Sequence, residues 1–262
     1  MTNVISLDFD FWMEMPESEN YDWSMREVPF FLDHIWMIRA MDAFARGVDL
    51  REQCNLPKDE PSPVEFSQLL IDHKLKVRKD TVAISESHMV AYKWFSRLKD
   101  LHIIHIDAHH DFGYVEGMRE LNCDNWVKYL VDKGKVKKIT LIYPKWRLRQ
   151  TNEWEGGGKE SAEKLGVDVD VCYGLKESLP HNLKIRKMFI CRSGAWVPPW
   201  MDKYFMNIIH NLMSRHENIM MYGWAGLEKV MRWKDPDVQW KEIKAQAAAI
   251  KKMMKKNAKL AS

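Results

Sequence analysis

This chain lacks the features that would assign it by default to a membrane, an oxidising compartment or nucleic acid. Its four cysteines, Cys54, Cys123, Cys172 and Cys191, are scattered with no Cys-x-x-Cys spacing, so neither a cysteine metal site nor a redox motif is written into it. There is no signal-like segment and no apolar run of bilayer length, so no membrane contact is expected and a reducing cytoplasm is the expected location. Lys+Arg 40 against Asp+Glu 37 leaves a net charge of +3, too near neutral to argue for nucleic acid as a partner. No repeat or low-complexity linker divides the 262 residues, which suit a single α/β domain over residues 1–262 with a sizeable core. Nothing in the sequence specifies an oligomeric state. What is abundant is tryptophan (12) and methionine (17), read either as interior filling or as the walls of apolar grooves.

The informative stretch is Leu101-His102-Ile103-Ile104-His105-Ile106-Asp107-Ala108-His109-His110-Asp111, an apolar strand that ends in Asp-x-His-x-Asp. Residues at i, i+2 and i+4 share a face of a strand end, so Asp107, His109 and Asp111 form a ligand set that slight curling would bring around two cations. The competing reading is a solvated loop behind a buried strand, but that would concentrate like charge without structural gain. Upstream, Val4 to Trp12 reads as a first strand whose end places Asp8 and Asp10 on one face, and His88 falls at a strand-to-helix turn.

Strands expected at Val4–Trp12, Thr81–Ser85, Leu101–Ile106, Val136–Tyr143, Val167–Tyr173, Lys187–Cys191 and Asn218–Tyr222 alternate with helices at Val28–Ala45, Ser62–Lys76, Val90–Leu98, Asp124–Lys133 and Lys203–Arg215. This rhythm predicts a three-layer α/β/α fold with a mostly parallel sheet, whose ligands gather at the carboxyl ends of the strands. Residues 236–260 are expected to form a basic helix with Trp240, Ile243, Ala247, Ile250 and Met254 on one face.

Asp8, Asp10, His88, Asp107, His109 and Asp111 together offer four carboxylates and two imidazoles, whose charge two divalent cations would cancel. Oxygen-rich ligation of this kind suits two Mn²⁺ better than structural zinc, and the chemistry it supports is metal-assisted hydrolysis.

Asp107-Ala108-His109-His110-Asp111 resembles the Asp-Ala-His-x-Asp signature of the arginase, or ureohydrolase, superfamily, and Ser85-Glu86-Ser87-His88-Met89 is similar to its Gly-Gly-Asp-His-Ser turn in order and spacing. The resemblance implies an arginase-like fold with His88, Asp107 and Asp111 on one manganese, Asp107, His109 and Asp111 on the other, and a further Asp-x-Asp pair. In ordinary arginases that pair lies late in the chain, but the late strand here, Phe189-Ile190-Cys191-Arg192, has no aspartate. Asp168-Val169-Asp170 and Asp8-Phe9-Asp10 are the candidates, and Asp8 with Asp10 is favoured.

The N-terminal Leu-Asp-Phe-Asp-Phe-Trp and the late Trp-x-Pro-Pro-Trp resemble a divergent branch that includes the peptide arginases of ribosomal peptide natural-product pathways. That implies a precursor peptide as partner, with arginine side chains converted to ornithine and urea released. The resemblance spans most of residues 4–225. The loop after Asp111 lacks the histidine that shuttles protons in free-arginine enzymes, leaving His110 and Glu86 as acid–base candidates. Glu116, Asp202 or Glu228 would face the guanidinium, and Trp196 would stack on it or wall the groove. His105 shares the face of Asp107 and reads either as a group orienting the ligands or as a satisfied core histidine. Two other functions remain open, a two-metal phosphoesterase and a non-catalytic arginase-like module binding peptide or RNA through its basic helix.

Overall fold

A computed structural model describes residues 1–14, 29–78, 81–113, 120–149, 159–160, 162–216, 218–223 and 230–261. Seven strands form one parallel sheet in the order β6-β5-β4-β1-β8-β3-β9. Their ranges are β1 Thr2–Asp8, β3 Val82–Ser85, β4 Leu101–Ile106, β5 Val136–Tyr143, β6 Asp168–Tyr173, β8 Lys187–Cys191 and β9 Ile219–Tyr222. The short strands β2 (Lys76–Val77) and β7 (Lys184–Ile185) pair separately.

Alternation along each strand assigns its side chains to two cores. Ile5, Leu7, Ile104, Ile106, Met188 and Ile190 face one way, beneath the helices Pro29–Arg46, Phe66–Asp72 and Asp202–Met213. Val4, Ile103, Phe189, Leu141 and Cys191 face the other way, beneath the helices Met89–Phe95 and Trp126–Asp132. The result is the expected three-layer α/β/α arrangement, with the central strands buried on both faces. On the second face Ser6 and His105 stand side by side in register at positions where their neighbours are apolar. Here the interior turns polar toward the carboxyl ends of the strands.

Several boundaries differ from the sequence expectation. The first strand stops at Asp8, and Phe9–Trp12 winds into a 3₁₀ turn capped by the Asp8 side chain, so Asp10 reaches the site from a turn and not from the strand. Ser62 and Glu65 do form a capping box, but the helix they start ends at Asp72 because Lys74 takes a positive φ of 54° and the chain then pairs as β2. No helix among the described residues is long and apolar enough to cross a membrane.

The C-terminal helix Pro236–Ala261 docks by its first half only. Trp240, Ile243 and Ala247 are buried, with the Trp240 ring 5.1 Å from Phe44 and 5.0 Å from Trp200. Ile250 and Met254, expected on the same face, are 41% and 66% exposed, so the apolar stripe runs on past the surface it packs against. Trp240→Ala should therefore cost about 3–5 kcal/mol of unfolding free energy, whereas Met254→Ala should change it by less than about 0.5 kcal/mol, as denaturant titration would show.

Candidate metal centre

Two strand ends and one helix start converge on the second face of the sheet. β1 supplies Asp8 and, through its 3₁₀ turn, Asp10. β4 runs out into Asp107, His109 and Asp111, and His88 stands at the start of the helix Met89–Phe95 that follows β3. β1 lies between β4 and β8, so the N-terminal strand brings its aspartates beside the late strand where the arginase resemblance would put them. Asp168 and Asp170 lie far from this point, exposed on the edge strand β6 and paired with Lys138 at 3.1 and 2.7 Å.

The six side chains fall into two groups that share Asp107. In the inner group, His88 Nδ1 lies 3.0 Å from Asp8 Oδ2, 3.2 Å from Asp107 Oδ2 and 2.9 Å from Asp111 Oδ2. In the outer group, His109 Nδ1 lies 2.9 Å from Asp10 Oδ2 and 3.6 Å from Asp107 Oδ1. Asp107 thus turns one oxygen toward each group, the disposition of a bridging carboxylate. His109 is 29% exposed, and its ring lies 5.7 Å from that of Trp196.

Neighbours unnoticed in the sequence hold these ligands in place. Ser6 Oγ is 2.7 Å from His88 Nε2, so the opposite ring nitrogen is the one aimed at the carboxylates. Trp126 Nε1 donates to Asp111 Oδ2 at 2.5 Å, and Ser193 donates its hydroxyl to Asp8 Oδ2. The rings of Phe189 and Trp126 flank His88 at 5.8 and 5.1 Å. Asp111 and Ser193 both adopt left-handed backbone, with φ of 53° and 50°, a local strain that surrounding structure must maintain. The buried Cys191 also comes within reach of Asp8 and His88, opposite Asp8 in the β1–β8 register. Only its strand position was available in the sequence; its partners come from other strands.

The electrostatics are those of anions crowded out of water. Burial, and then the charge of Asp10, raises the Asp8 carboxyl to about 6 and pushes Asp107 well above its usual range. Burial also pushes Asp10 and Asp111 upward, but His109 and His88 respectively outweigh it and hold both below the usual value. Burial works against charge on His88 and His109, yet Asp111 and Asp10 raise both imidazoles well above the ordinary histidine range. Protons on these groups neutralise charge that a cation would otherwise balance. Asp10 Oδ2, His88 Nδ1 and Asp107 Oδ2 are buried without a partner of hydrogen-bond geometry, although each has oppositely charged atoms close by. Orphaned donors converging in this way fit a divalent cation better than they fit one another.

The other expected residues are placed as follows. His110 is buried, and its Nδ1 accepts the Phe112 N–H at 2.9 Å. Glu86 does not face the ligands as an acid–base group: it pairs with Arg192, and its other oxygen lies so close to Gly194 that a Cβ there would sit 1.9 Å away. Asp202, fully buried, is bound by Arg232 at 2.6 Å and approached by Arg192 at 3.4 Å, so its carboxylate serves an internal guanidinium and not a substrate's. The reason is the loop after β8, whose carbonyls at Gly194 and Val197 are also gripped by Arg232, at 2.5 and 2.6 Å. Glu116 and Glu228 lie outside the described residues.

Comparison with models of known protein families, with curated proteins and with solved structures finds no match.

The protonation pattern yields a test. His88 and His109 carry raised values, so their contribution to the stability of the metal-free protein is fully present below about 6.5 and is lost as pH rises through their folded values. A cation must displace these protons. Adding Mn²⁺ to metal-free protein at pH 7 in weak buffer should release protons to an indicator dye, and affinity should fall as pH drops through about 6, where Asp8 becomes protonated.

Proposed function

We propose that this protein is a dinuclear manganese hydrolase that converts arginine side chains within a peptide to ornithine and releases urea. The observation that carries this reading is Asp107, which turns Oδ1 toward His109 and Oδ2 toward His88, between two carboxylate–imidazole groups. Divalent cations held there would polarise the guanidine and lower the pKa of a water molecule to near neutrality. The His88 turn followed by the Asp107–Asp111 motif, similar in order and spacing to those of ureohydrolases, supports guanidine over other substrates, although the Asp8–Asp10 pair stands early in the chain and not late.

The rest of the site suggests how the side chain would be received. The partly exposed His109 and the Trp196 ring, 5.7 Å apart, would offer aromatic faces on which a guanidinium could stack. With Asp202 and Glu86 committed to arginines of the fold, Asp124 becomes the carboxylate in the described residues best suited to pair with the substrate. Its Oδ1 is buried without a hydrogen-bond partner, and burial followed by the charge of Asp111 raises its pKa. A guanidinium would relieve both conditions. In the sequence Asp124 only opens an expected helix, which starts instead at Trp126 with Asn125 as its N-cap.

The experiment is a mass spectrum of an arginine-containing peptide, beside free arginine, after incubation with manganese-loaded protein. Loss of about 42 Da per arginine, the CN₂H₂ unit, is expected on the peptide. Unchanged peptide with two bound metals would refute guanidine hydrolysis. Asp107→Asn and Asp8→Asn should abolish turnover and metal binding together, and Asp168→Asn should alter neither. Asp124→Asn should leave metal content intact while raising KM by on the order of 10-fold or more, the loss of about 1.5–3 kcal/mol from a charged hydrogen bond.

A further inference from the structure

We infer that His105 is itself a ligand of the inner metal position, giving that position two imidazoles where the outer one has a single imidazole. The inference rests on the metal reading above and extends its ligand set. His105 lies within β4, two residues before Asp107, and is fully buried. Neither of its ring nitrogens has a hydrogen-bond partner among the described residues.

A histidine of the ordinary core kind behaves differently in this same strand. His102 places Nδ1 3.2 Å from Asn3 Oδ1 and Nε2 2.9 Å from Thr140 Oγ1, so both nitrogens are satisfied. A buried neutral imidazole always carries one N–H and one lone pair, and leaving both unmatched is costly. The environment of His105 supplies no hydrogen-bond partner, but it supplies the inner ligand group.

The geometry is that of ligands around one ion. His105 Nε2 lies 3.4 Å from Asp107 Oδ2 and 3.7 Å from Asp111 Oδ2, the same two oxygens that approach His88 Nδ1 at 3.2 and 2.9 Å. Donors about 2.1 Å from a shared cation stand about 3.0 Å apart at right angles and about 3.4 Å apart in a tetrahedron. The His105 separations exceed hydrogen-bond length yet match or slightly exceed these ligand-to-ligand edges. His88, His105 and Asp107 present ligand atoms that all lie within 4.8 Å of one another. The lone pair on Nε2 thereby acquires a partner, and the inner position becomes richer in nitrogen than the Asp10–Asp107–His109 group. Nitrogen-rich ligation favours borderline ions such as Co²⁺ or Zn²⁺ over Mn²⁺, so a first equivalent of such an ion should enter the inner position.

Titration of the metal-free full chain with Co²⁺, read by visible absorption, tests this. The wild type should bind a first equivalent with ligand-field bands that His105→Phe shifts, and the variant should bind that equivalent on the order of 10-fold more weakly or worse. Meanwhile the metal-free variant should unfold at the same temperature or higher, because an unmatched buried imidazole has been removed. His105→Asn gives a second decision should the phenylalanine variant misfold. Unchanged affinity in both variants would overturn the inference, as would weakened affinity with an unchanged spectrum, which would make His105 a positioning residue and not a ligand. His88→Phe separates the two levels of argument. If the wild type binds no Co²⁺, or if His88→Phe binds it as the wild type does, the metal reading itself falls.

Discussion

Four buried aspartates, each with an oxygen within 3.2 Å of His88 or His109 Nδ1, are the constraint around which this protein is arranged. Like charges gathered in this way, out of water, repel strongly unless protons or cations intervene. The structure places Asp8, Asp10, Asp107 and Asp111 at the carboxyl ends of adjacent strands, with the imidazoles of His88 and His109 in direct contact with them and His105 Nε2 3.4 Å from Asp107. Every feature nearby relates to that arrangement. Ser6 orients one imidazole, Trp126 and Ser193 hold two of the carboxylates, and left-handed backbone at Asp111 and Ser193 aims the loops inward.

A second buried charge system supports the first. Glu86, Arg192, Asp202 and Arg232 form a neutral quartet that ties the turn before His88 to the loop after β8 and to the helix Asp202–Met213. Buried pairs of this kind add little net stability relative to apolar packing, but removing one member strands a charge. Their use here is geometric. Arg232 grips two carbonyls of the loop that carries Ser193, and Ser193 holds Asp8, so the quartet sets the position of a ligand it never touches.

Much of the scaffold was legible because local patterns and tertiary demands agree. Apolar runs of strand length produced β5 and β8 with unchanged limits, and the helix Asp202–Met213 begins within one residue of its expected start. Disagreements arose where long-range partners intervened. The first strand yields to a 3₁₀ turn because Asp8 caps it, and the C-terminal helix continues its apolar stripe beyond the surface available to cover it. For the same reason Glu86 and Asp202 looked like free carboxylates in sequence: their arginine partners lie 106, 30 and 10 residues away.

By itself the sequence determined the fold class and the residue types gathered at the strand end, because strand periodicity and the run Asp107-Ala108-His109-His110-Asp111 are local properties of the chain. Only the tertiary structure decided which Asp-x-Asp pair joins them, which carboxylates are consumed by internal arginines, and that His105 faces the inner group with both nitrogens unmatched. Those outcomes depend on strand order, the insertion of β1 between β4 and β8, and no local pattern encodes which strands become neighbours.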